Sequence, residues 1–478
     1  MSWILLTIYI LNFLTIIAIL FIERKKPVTA FSWILLLTFL PVVGFIFYPI
    51  LGRNLRPNEK KSFRLKMEFD KLYNKRLHKE HLSSKNTIHK YNFEYEDLIK
   101  MNANAGNSIY SQDNEVAVFT RGRDKFTSLF KDIEEAKDSI NMLYYIINND
   151  KLGREIVKLL TRKAREGVEV RILYDHIGSI STPHKMFTAL INAGGNVYRF
   201  SPVGLGTYTR INYRNHRKIV VIDGKIGYTG GMNIGDEYLG MHKRITPWRD
   251  THLRITGSAV YALQERFLMD WSYASKNVNE QDSDELCRFF PVIQSKGSVG
   301  MQVLSSGPDI NGEQIKRAYI KMINSAKESI FIQTPYFIPD DSFLEALKIA
   351  ALSGVDIKVM LPGIPDRTLV YRATTSYIKD LLECGAKVSL YAGFLHSKML
   401  LVDGKVASIG TANMDVRSFS SNFEINTFIY DKQLSSECSK IFEEDLGHSK
   451  LLTKESYHKR GLRIKLQEGL CRLLSPFL

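Results

Sequence analysis

The chain has 478 residues, more than one ordinary hydrophobic core holds, and its 45% hydrophobic and 24% charged residues exclude an intrinsically disordered protein. Its 65 Lys and Arg residues outnumber 50 Asp and Glu residues, and the net charge of +15 favours polyanionic partners such as nucleic acid or anionic lipid. The four cysteines form neither a CxxC pair nor a ligand cluster, so they predict reduced thiols without a structural zinc site: Cys287, Cys384, Cys438 and Cys471.

The first 52 residues predict a transmembrane helical hairpin. Residues 3–22 contain no charged side chain, and at about 1.5 Å per residue such a helix spans roughly the 30 Å hydrocarbon layer. A second apolar run covers about residues 28–51, and the polar turn Glu23-Arg24-Lys25-Lys26-Pro27 separates the two runs. A signal peptide is the alternative, but no basic residue precedes the first run and no small-residue cleavage site follows it.

Residues 53–112 form a basic juxtamembrane and connecting region. Its positive charges are concentrated at the start, in Arg53, Arg56, Lys60, Lys61, Arg64 and Lys66. Because positive charge accumulates on the cytoplasmic side of membrane proteins, this cluster predicts a cell-membrane protein with two helices and a cytoplasmic body. The turn between the two apolar runs is itself basic and opposes that orientation.

The rest of the chain contains one α/β unit twice. An amphipathic stretch ending at residues 133–140 leads into the strand-like residues 142–147, and residues 323–330 lead into 331–336 in the same way. Each copy continues with another helix and strand, which predicts an α/β fold of two similar lobes related by a pseudo-twofold axis. The lobes are assigned to residues 113–276 and 298–450, with a polar linker at 277–297.

Residues 451–478 predict a C-terminal amphipathic helix. Its apolar residues recur at helical spacing, and its charges lie on other faces; the apolar set is Leu462, Leu466, Leu470, Leu473, Leu474 and Phe477. Such a helix either lies in an anionic membrane interface or packs on the body as its last helix. The sequence favours neither position.

Two motifs of the form HxKxxxxD, each followed by GxxN, occur at corresponding points of the repeat. They consist of His216, Lys218, Asp223 and Asn233 in the first copy and His396, Lys398, Asp403 and Asn413 in the second. A third His-x-Lys, at His448, lacks both the aspartate and the GxxN and is interpreted as solvated surface. Because spacing, Asp-Gly turn and GxxN repeat together in the two full motifs, coincidence does not explain them.

The spacing of each motif predicts its chemistry. A His and a Lys two residues apart on a strand point to the same face, and the apolar run after them continues the strand into the core. Asp223 and Asp403 belong to the candidate catalytic set as motif members. Their place at the Asp-Gly turn nevertheless gives no reason to put them beside the imidazoles, so we expect a structural role.

If the two copies face each other, a single pocket receives two imidazoles, two ammonium groups and two Asn amides, a set that suits a phosphodiester. Lys218, Lys398, Asn233 and Asn413 can hold the phosphate oxygens without a metal ion. One imidazole can attack phosphorus while the other protonates the leaving alkoxide, which gives a phosphohistidine that a second alcohol resolves. No metal and no cofactor is expected.

These paired motifs are similar to the signatures of the phospholipase D superfamily, and the likeness covers nearly the whole chain. The phrases 212–218, 334–339 and 394–398 resemble bacterial cardiolipin synthases in particular. The resemblance implies two phospholipase D-type lobes, each with a mixed β-sheet flanked by helices. It implies His216 or His396 as nucleophile and the other as general acid and base, and analogy with the superfamily favours His216 as the nucleophile. It also implies that two phosphatidylglycerol molecules are joined into cardiolipin, with release of glycerol.

The resemblance further implies a carboxylate behind each histidine. Glu424 fits this role for His396, and Asp250 is the counterpart in the first copy. The chain departs from the wider superfamily where Gly231 and Thr411 stand in place of a frequent serine, which puts a hydroxyl donor at those positions in doubt.

The expected partners are phosphatidylglycerol and anionic membrane lipid, with the protein embedded in the membrane and no nucleic acid bound. The sequence does not determine an oligomeric state. The alternatives are a hydrolytic phospholipase D, a nuclease of the same superfamily and a non-catalytic scaffold that binds anionic lipid. The membrane hairpin opposes the nuclease, and two intact motifs oppose the scaffold.

Overall fold

A computed structural model describes nine segments of the chain: residues 3–23, 27–52, 94–106, 108–202, 212–242, 245–275, 287–293, 297–310 and 312–475. The basic turn at 24–26, the basic cluster at 53–66 and the linker stretch 277–284 lie outside the described residues.

The N-terminal segment folds as an apolar helix followed by a broken one. Helix α1, Trp3–Ala18, continues through the π-helical turn Ile19–Glu23, so that 21 residues are long and apolar enough to cross a membrane. The second apolar run forms two shorter helices, α2 and α3, at Pro27–Phe39 and Pro41–Phe47, and the π-helical turn Tyr48–Gly52. A second membrane-spanning helix therefore stays a prediction.

The break lies at Pro41, which has no N–H to donate to the carbonyl of Leu37. The amide of Asn12, buried within α1, donates instead to the Leu37 carbonyl at 3.1 Å and to the Pro41 carbonyl at 2.9 Å. Since backbone groups within a bilayer need partners from the protein, this polar contact fastens the broken helix to α1.

The first lobe alternates helices and strands after a leading helix, α4, at Glu96–Gly106. Its elements are β1 Ser111–Phe119, α5 Gly122–Glu135, β2 Ser139–Tyr144, α6 Lys151–Arg165, β3 Glu169–Asp175, α7 Thr188–Asn192, β4 Asn196–Phe200, β5 Ile219–Ile222, β6 Ile226–Gly230, β7 Trp248–Arg249, β8 His252–Thr256 and α8 Ala259–Ser275.

The second lobe repeats this order and adds elements at its end. They are β9 Val299–Ser306, α9 Gln314–Ser325, β10 Ser329–Gln333, β11 Phe337–Ile338, α10 Asp341–Leu352, β12 Asp356–Pro362, α11 Thr368–Ser376, α12 Ile378–Glu383, β13 Lys387–Tyr391, β14 Phe394–Leu395, β15 Met399–Val402, β16 Val406–Gly410, β17 Met414–Asp415, α13 Val416–Ser420, β18 Glu424–Ile429, α14 Lys432–Gly447, β19 Ser449–Leu452, α15 Lys454–His458 and α16 Leu462–Leu473.

The two lobes share one continuous mixed sheet. Its order is β19-β13-β12-β10-β15-β16-β18-β9-β1-β8-β6-β5-β2-β3-β4, with β9 and β1 antiparallel at the centre. The order reads the same outward from that pair in both directions until β19, so a pseudo-twofold axis lies between β9 and β1. The motif strands β5 and β15 take equivalent places, β5 beside β2 and β15 beside β10.

Burial follows from the apolar runs. Strands β5 and β15 are buried along their whole length because both of their faces are covered by helices. One hydrophobic cluster belongs to each lobe, and a third contains residues of both, among them Ile219 of β5 and Leu401 of β15. The shared cluster fixes the lobes against each other and so fixes the residues that precede the two motif strands.

Candidate active site

Each motif histidine lies just before its strand, on a segment bonded to the opposite lobe. The His216 N–H donates to the Phe423 carbonyl at 2.9 Å, and the His396 N–H donates to the Arg249 carbonyl at 2.7 Å. Strand β14, directly before His396, pairs in parallel with β7 of the first lobe. The backbone itself therefore brings the histidine of each copy to the other copy.

The carboxylates behind the imidazoles cross between the lobes. Nδ1 of His216 lies 3.0 Å from both carboxylate oxygens of Glu424, and Nδ1 of His396 lies 2.6 Å from Oδ2 of Asp250. The predicted pairing within each copy is wrong. The backbone contacts between the lobes explain this difference. Glu424 directly follows Phe423, whose carbonyl accepts from the His216 N–H, and Asp250 directly follows Arg249, whose carbonyl accepts from the His396 N–H.

The two lysines complete a single charged site. Nζ of Lys218 donates to the His216 carbonyl at 2.6 Å, and Lys398 donates to the carbonyl of His396 in the same way. The pKa of Lys218 is lowered to about 7, chiefly by burial; Glu424 opposes this shift, and the Lys398 ammonium adds to it. Burial also lowers the pKa of Lys398 to about 8, although Asp250 and Glu424 act in the opposite direction.

Burial holds the pKa of both imidazoles below its usual value, so both are neutral near pH 7. Burial lowers the pKa of His216 to about 4, although Glu424 raises it, and Lys218 and Lys398 both add to the lowering. Burial and then Lys398 lower the pKa of His396 to about 3, with Asp250 opposing them. Since each histidine feels the lysines of both motifs, the two distant motifs meet in one place.

Aromatic rings form the wall that removes water from the imidazoles. The Tyr145 ring centre lies 5.0 Å from that of His216, and the Trp248 and Tyr238 centres lie 5.6 Å and 6.2 Å from that of His396. The sequence motifs do not point to these residues, because aromatic side chains are common throughout the chain and these three lie outside both motifs.

The motif asparagines occupy different environments. The Asn233 amide nitrogen donates to the Tyr238 hydroxyl at 2.6 Å, and its oxygen accepts from the Ile146 N–H at 3.1 Å. Asn413 is buried beside Asp415, and within the described residues its amide oxygen has no hydrogen-bond partner. Asn233 thereby supports the ring that faces His396, and phosphate binding by either amide stays a prediction.

The motif aspartates lie away from the imidazoles. Asp223 accepts hydrogen bonds from the backbone N–H groups of residues 137–139 at 2.8–3.2 Å, and Asp403 accepts from those of residues 327–329 at 2.8–2.9 Å. Both carboxylates fasten the start of a neighbouring strand to the turn after the motif strand. We therefore remove Asp223 and Asp403 from the candidate catalytic set and assign them the structural role.

The residue inside the first motif fastens the two lobes. Arg217 is fully buried and donates to both oxygens of Asp270 at 3.0 Å and 2.8 Å. It also donates to the Glu424 carbonyl at 3.1 Å and to the Ser305 hydroxyl at 2.6 Å, both in the second lobe. An ion pair without solvent screening thus holds the backbone of Glu424 beside His216.

The departures at Gly231 and Thr411 have a structural explanation. The Thr411 hydroxyl donates to Glu424 Oε2 at 2.6 Å, so it points at the carboxylate behind His216. A Cβ at Gly231 would overlap Asp250 Oδ1, so glycine leaves room for the shorter carboxylate behind His396. The two halves of the site are therefore similar but not equivalent.

The described residues contain no group of three or more His, Cys, Asp and Glu side chains that could hold a metal ion. Positive charge beside the imidazoles comes from Lys218 and Lys398, which donate to the carbonyls of His216 and His396.

Family models match both lobes and the N-terminal segment. A family described as "Cardiolipin synthase, PLD-like domain" matches residues 129–271 and 319–446, one match in each lobe. The "Phospholipase_D-nuclease N-terminal" family matches residues 10–53.

Three curated relatives extend the comparison over the full length. The chain is 47% identical to a cardiolipin synthase of Listeria monocytogenes, over 100% of this chain and 99% of that protein. It is 47% identical to the major cardiolipin synthase of Bacillus subtilis over 98% of both chains, and to a Staphylococcus aureus cardiolipin synthase over 98% of this chain and 95% of the relative.

A solved structure has the same fold at low sequence identity. The crystal structure of a phosphatidylserine synthase from Haemophilus influenzae superposes with a TM-score of 0.60 at 15% identity, over 80% of this chain and 100% of the other.

Proposed function

The chain belongs to the cardiolipin synthases of the phospholipase D superfamily, and we propose that it makes cardiolipin from two phosphatidylglycerol molecules. It is a phosphatidyltransferase associated with a membrane, and its reaction proceeds through a phosphohistidine. The observation that supports the mechanism below is the crossed pair of imidazole–carboxylate contacts within one site that also contains two lysines.

In the first step, neutral His216 attacks the phosphorus of phosphatidylglycerol through Nε2, since Nδ1 is occupied by Glu424. The P–O bond to glycerol breaks, and His396 donates a proton from Nε2 to the leaving alkoxide, so that glycerol leaves neutral. Glu424 stabilises the positive charge that the phosphorylated imidazole carries.

In the second step, a glycerol hydroxyl of another phosphatidylglycerol attacks the phosphohistidine. His396, now neutral, accepts the hydroxyl proton, the P–N bond to His216 breaks, and cardiolipin forms. One phosphodiester replaces another, so no nucleotide is consumed. Both histidines return to their starting protonation states.

Substrate binding prepares the acid. The pKa of His396 is about 3 before substrate binds, but an anionic phosphodiester adds a negative charge next to the imidazole and so raises this pKa. Asp250, 2.6 Å away, stabilises the protonated form. The same negative charge keeps Lys218 and Lys398 protonated, and the two ammonium groups neutralise charge that develops on the phosphate oxygens.

The test uses purified protein in vesicles that contain phosphatidylglycerol labelled both in its glycerol headgroup and in an acyl chain. Cardiolipin and free glycerol in equal amounts support the transferase, whereas phosphatidic acid without cardiolipin indicates a hydrolase. Cleavage of DNA without lipid turnover would reverse the assignment. His216→Ala and His396→Ala should each abolish turnover in a folded protein, and His448→Ala, in the exposed third His-x-Lys, is the matched control that should remain active.

The proposed topology is a hairpin that crosses the membrane twice, with the catalytic body in the cytoplasm. It is supported by the apolar α1 and by the contact of Asn12 with the broken helix. In intact cells an impermeant maleimide should label Glu23→Cys but not Lys432→Cys, which lies on the exposed start of α14. The opposite labelling would place the body outside.

A further inference from the structure

The last helix, α16, packs on the body through its polar face. Glu468, Cys471 and Ser475 are the buried residues of this segment. The Glu468 carboxylate accepts from the Thr375 hydroxyl at 2.7 Å and pairs with Arg460, and the Ser475 hydroxyl lies 3.2 Å from that of Tyr377. A helix that only completes a domain buries its apolar face against the body. Helix α16 does the opposite, since its polar face is the one that contacts the body.

Leucines occupy the side of α16 that faces away from the body. Leu462, Leu466, Leu470 and Leu473 are 72%, 66%, 63% and 74% exposed. At about 100° per residue the four fall within an arc of roughly 80°, opposite Glu468 and Cys471. Four leucines along one face exceed the scattered exposed apolar residues of an ordinary soluble surface.

Cations border this leucine stripe, which consists of Leu462, Leu466, Leu470 and Leu473. Arg463 and Lys465 are exposed and project about 100° and 300° around the helix from Leu462, one on each flank. The acidic residue of the helix, Glu468, is buried and paired with Arg460. An apolar face with cations on both sides is the pattern of a helix that lies in an anionic bilayer surface.

We propose that α16 inserts its leucine stripe into the surface of the anionic membrane that the N-terminal helix crosses, as a second membrane contact of this protein. A second copy of the chain fits the stripe less well, because two facing stripes would bring Arg463 and Lys465 of both copies together. The proposal uses the association with a membrane and does not depend on the reaction.

One short helix connects the stripe to the active site. Helix α16 packs against α11, nine residues and therefore about 13 Å long. Two residues before α11, Asp366 accepts a hydrogen bond from Tyr336, and its negative charge raises the pKa of Lys398. Seating α16 in the headgroup layer thus holds α11, and with it this side of the active site, close to the membrane surface.

The first experiment reports the surroundings of the helix directly. Full-length protein with Cys287→Ser and Cys384→Ser carries an environment-sensitive fluorophore at Leu466→Cys, or at Leu352→Cys as the matched control. Leu352, at the end of α10, is 77% exposed, and Ile349 is the other large apolar side chain exposed on that helix, so two residues stand where α16 has four. In phosphatidylglycerol vesicles with brominated acyl chains, we expect strong quenching at 466 and little at 352.

The second experiment measures the consequence for turnover. The double variant Leu466→Gln, Leu470→Gln should lose about tenfold in vesicle turnover and nothing on a soluble short-chain phosphodiester, because only access to the bilayer changes. The corresponding Leu352→Gln should leave both rates unchanged.

Absence of quenching at 466 would overturn the proposal, and so would a disulfide between two Leu466→Cys copies, which would show that a second chain covers the stripe. Because quenching needs no turnover, it should persist in the inactive His396→Ala background. A failure of the proposed reaction and a failure of this membrane contact are therefore separate results.

Discussion

Replacing Glu424 by glutamine tests the crossed arrangement of the site. The carboxylate is fully buried, contacts Nδ1 of His216 with both oxygens at 3.0 Å and accepts from Thr411 at 2.6 Å. Glutamine keeps the shape and loses the charge. The charge matters most when His216 carries the phosphoryl group, because the imidazole ring is then positive.

The size of the effect follows from the burial of this contact. A hydrogen bond to a charged group contributes about 1.5–3 kcal/mol, which corresponds to about 10- to 150-fold in rate. Solvent does not screen a fully buried carboxylate, so the upper end applies, and formation of the phosphohistidine should slow by about 100-fold. The pKa of His216 should fall further below about 4, because Glu424 raises it.

The assay uses a nitrophenyl phosphodiester, whose leaving group departs without a proton. The burst of nitrophenolate then reports nucleophilic attack alone, and Asp250→Asn serves as the matched variant in the other half of the site. Acid quenching and peptide mapping identify the phosphorylated histidine. If the phosphoryl group is found on His216, we expect Glu424→Gln to slow the burst. If it is found on His396, we expect Asp250→Asn to slow it. A burst slowed by the carboxylate of the same lobe as the labelled histidine would refute the crossed arrangement.

Three further predictions concern space, structure and charge. Gly231→Ala should displace Asp250 by about 1 Å and lower turnover about 100-fold. Gly469→Ala, which has open space around it in an exposed helix, should keep the parent's activity and a melting temperature at least as high. Asp403→Ala should lower the free energy of unfolding by about 1–3 kcal/mol in denaturant titrations while turnover per folded molecule stays unchanged; inactive but fully stable protein would contradict the structural role. The kcat/KM for a soluble phosphodiester should fall as pH rises through 7–8, because Lys218 and Lys398 lose their positive charge in this range. Lys218→Arg should move this fall to higher pH, and a flat profile would exclude the lysines from phosphate binding.

Local patterns predicted the parts of this fold that local physics determines. The repeated order of elements explains why both copies contain the same His and Lys pair, although both residues lie just before their strand and not on it as the spacing predicts. The Asp-Gly turn likewise placed Asp223 at the end of its strand, where neighbouring N–H groups lie within reach.

Contacts between the lobes could not be predicted from local sequence patterns. Glu424 and His216 are 208 positions apart, and their meeting depends on the register of β18 with β9 and of β9 with β1. The spacing of residues within one copy does not determine this register. The sequence therefore predicts the two carboxylates but assigns each of them to the wrong histidine. For the same reason the orientation of α16 could not be predicted, because it depends on partners such as Thr375 in another helix.

The crossed carboxylates explain why neither lobe can act alone. If the lobes separated, each imidazole would lose the negative charge behind it, and each carboxylate would be left without its partner. Arg217 adds to this dependence, since it bonds Asp270 in its own lobe and the Glu424 backbone in the other. A small rotation between lobes would disturb both histidines at once, because their backbones are bonded across the same boundary. The shared hydrophobic cluster therefore helps to position the catalytic residues, and substitutions in it that loosen the boundary should reduce turnover before they unfold either lobe.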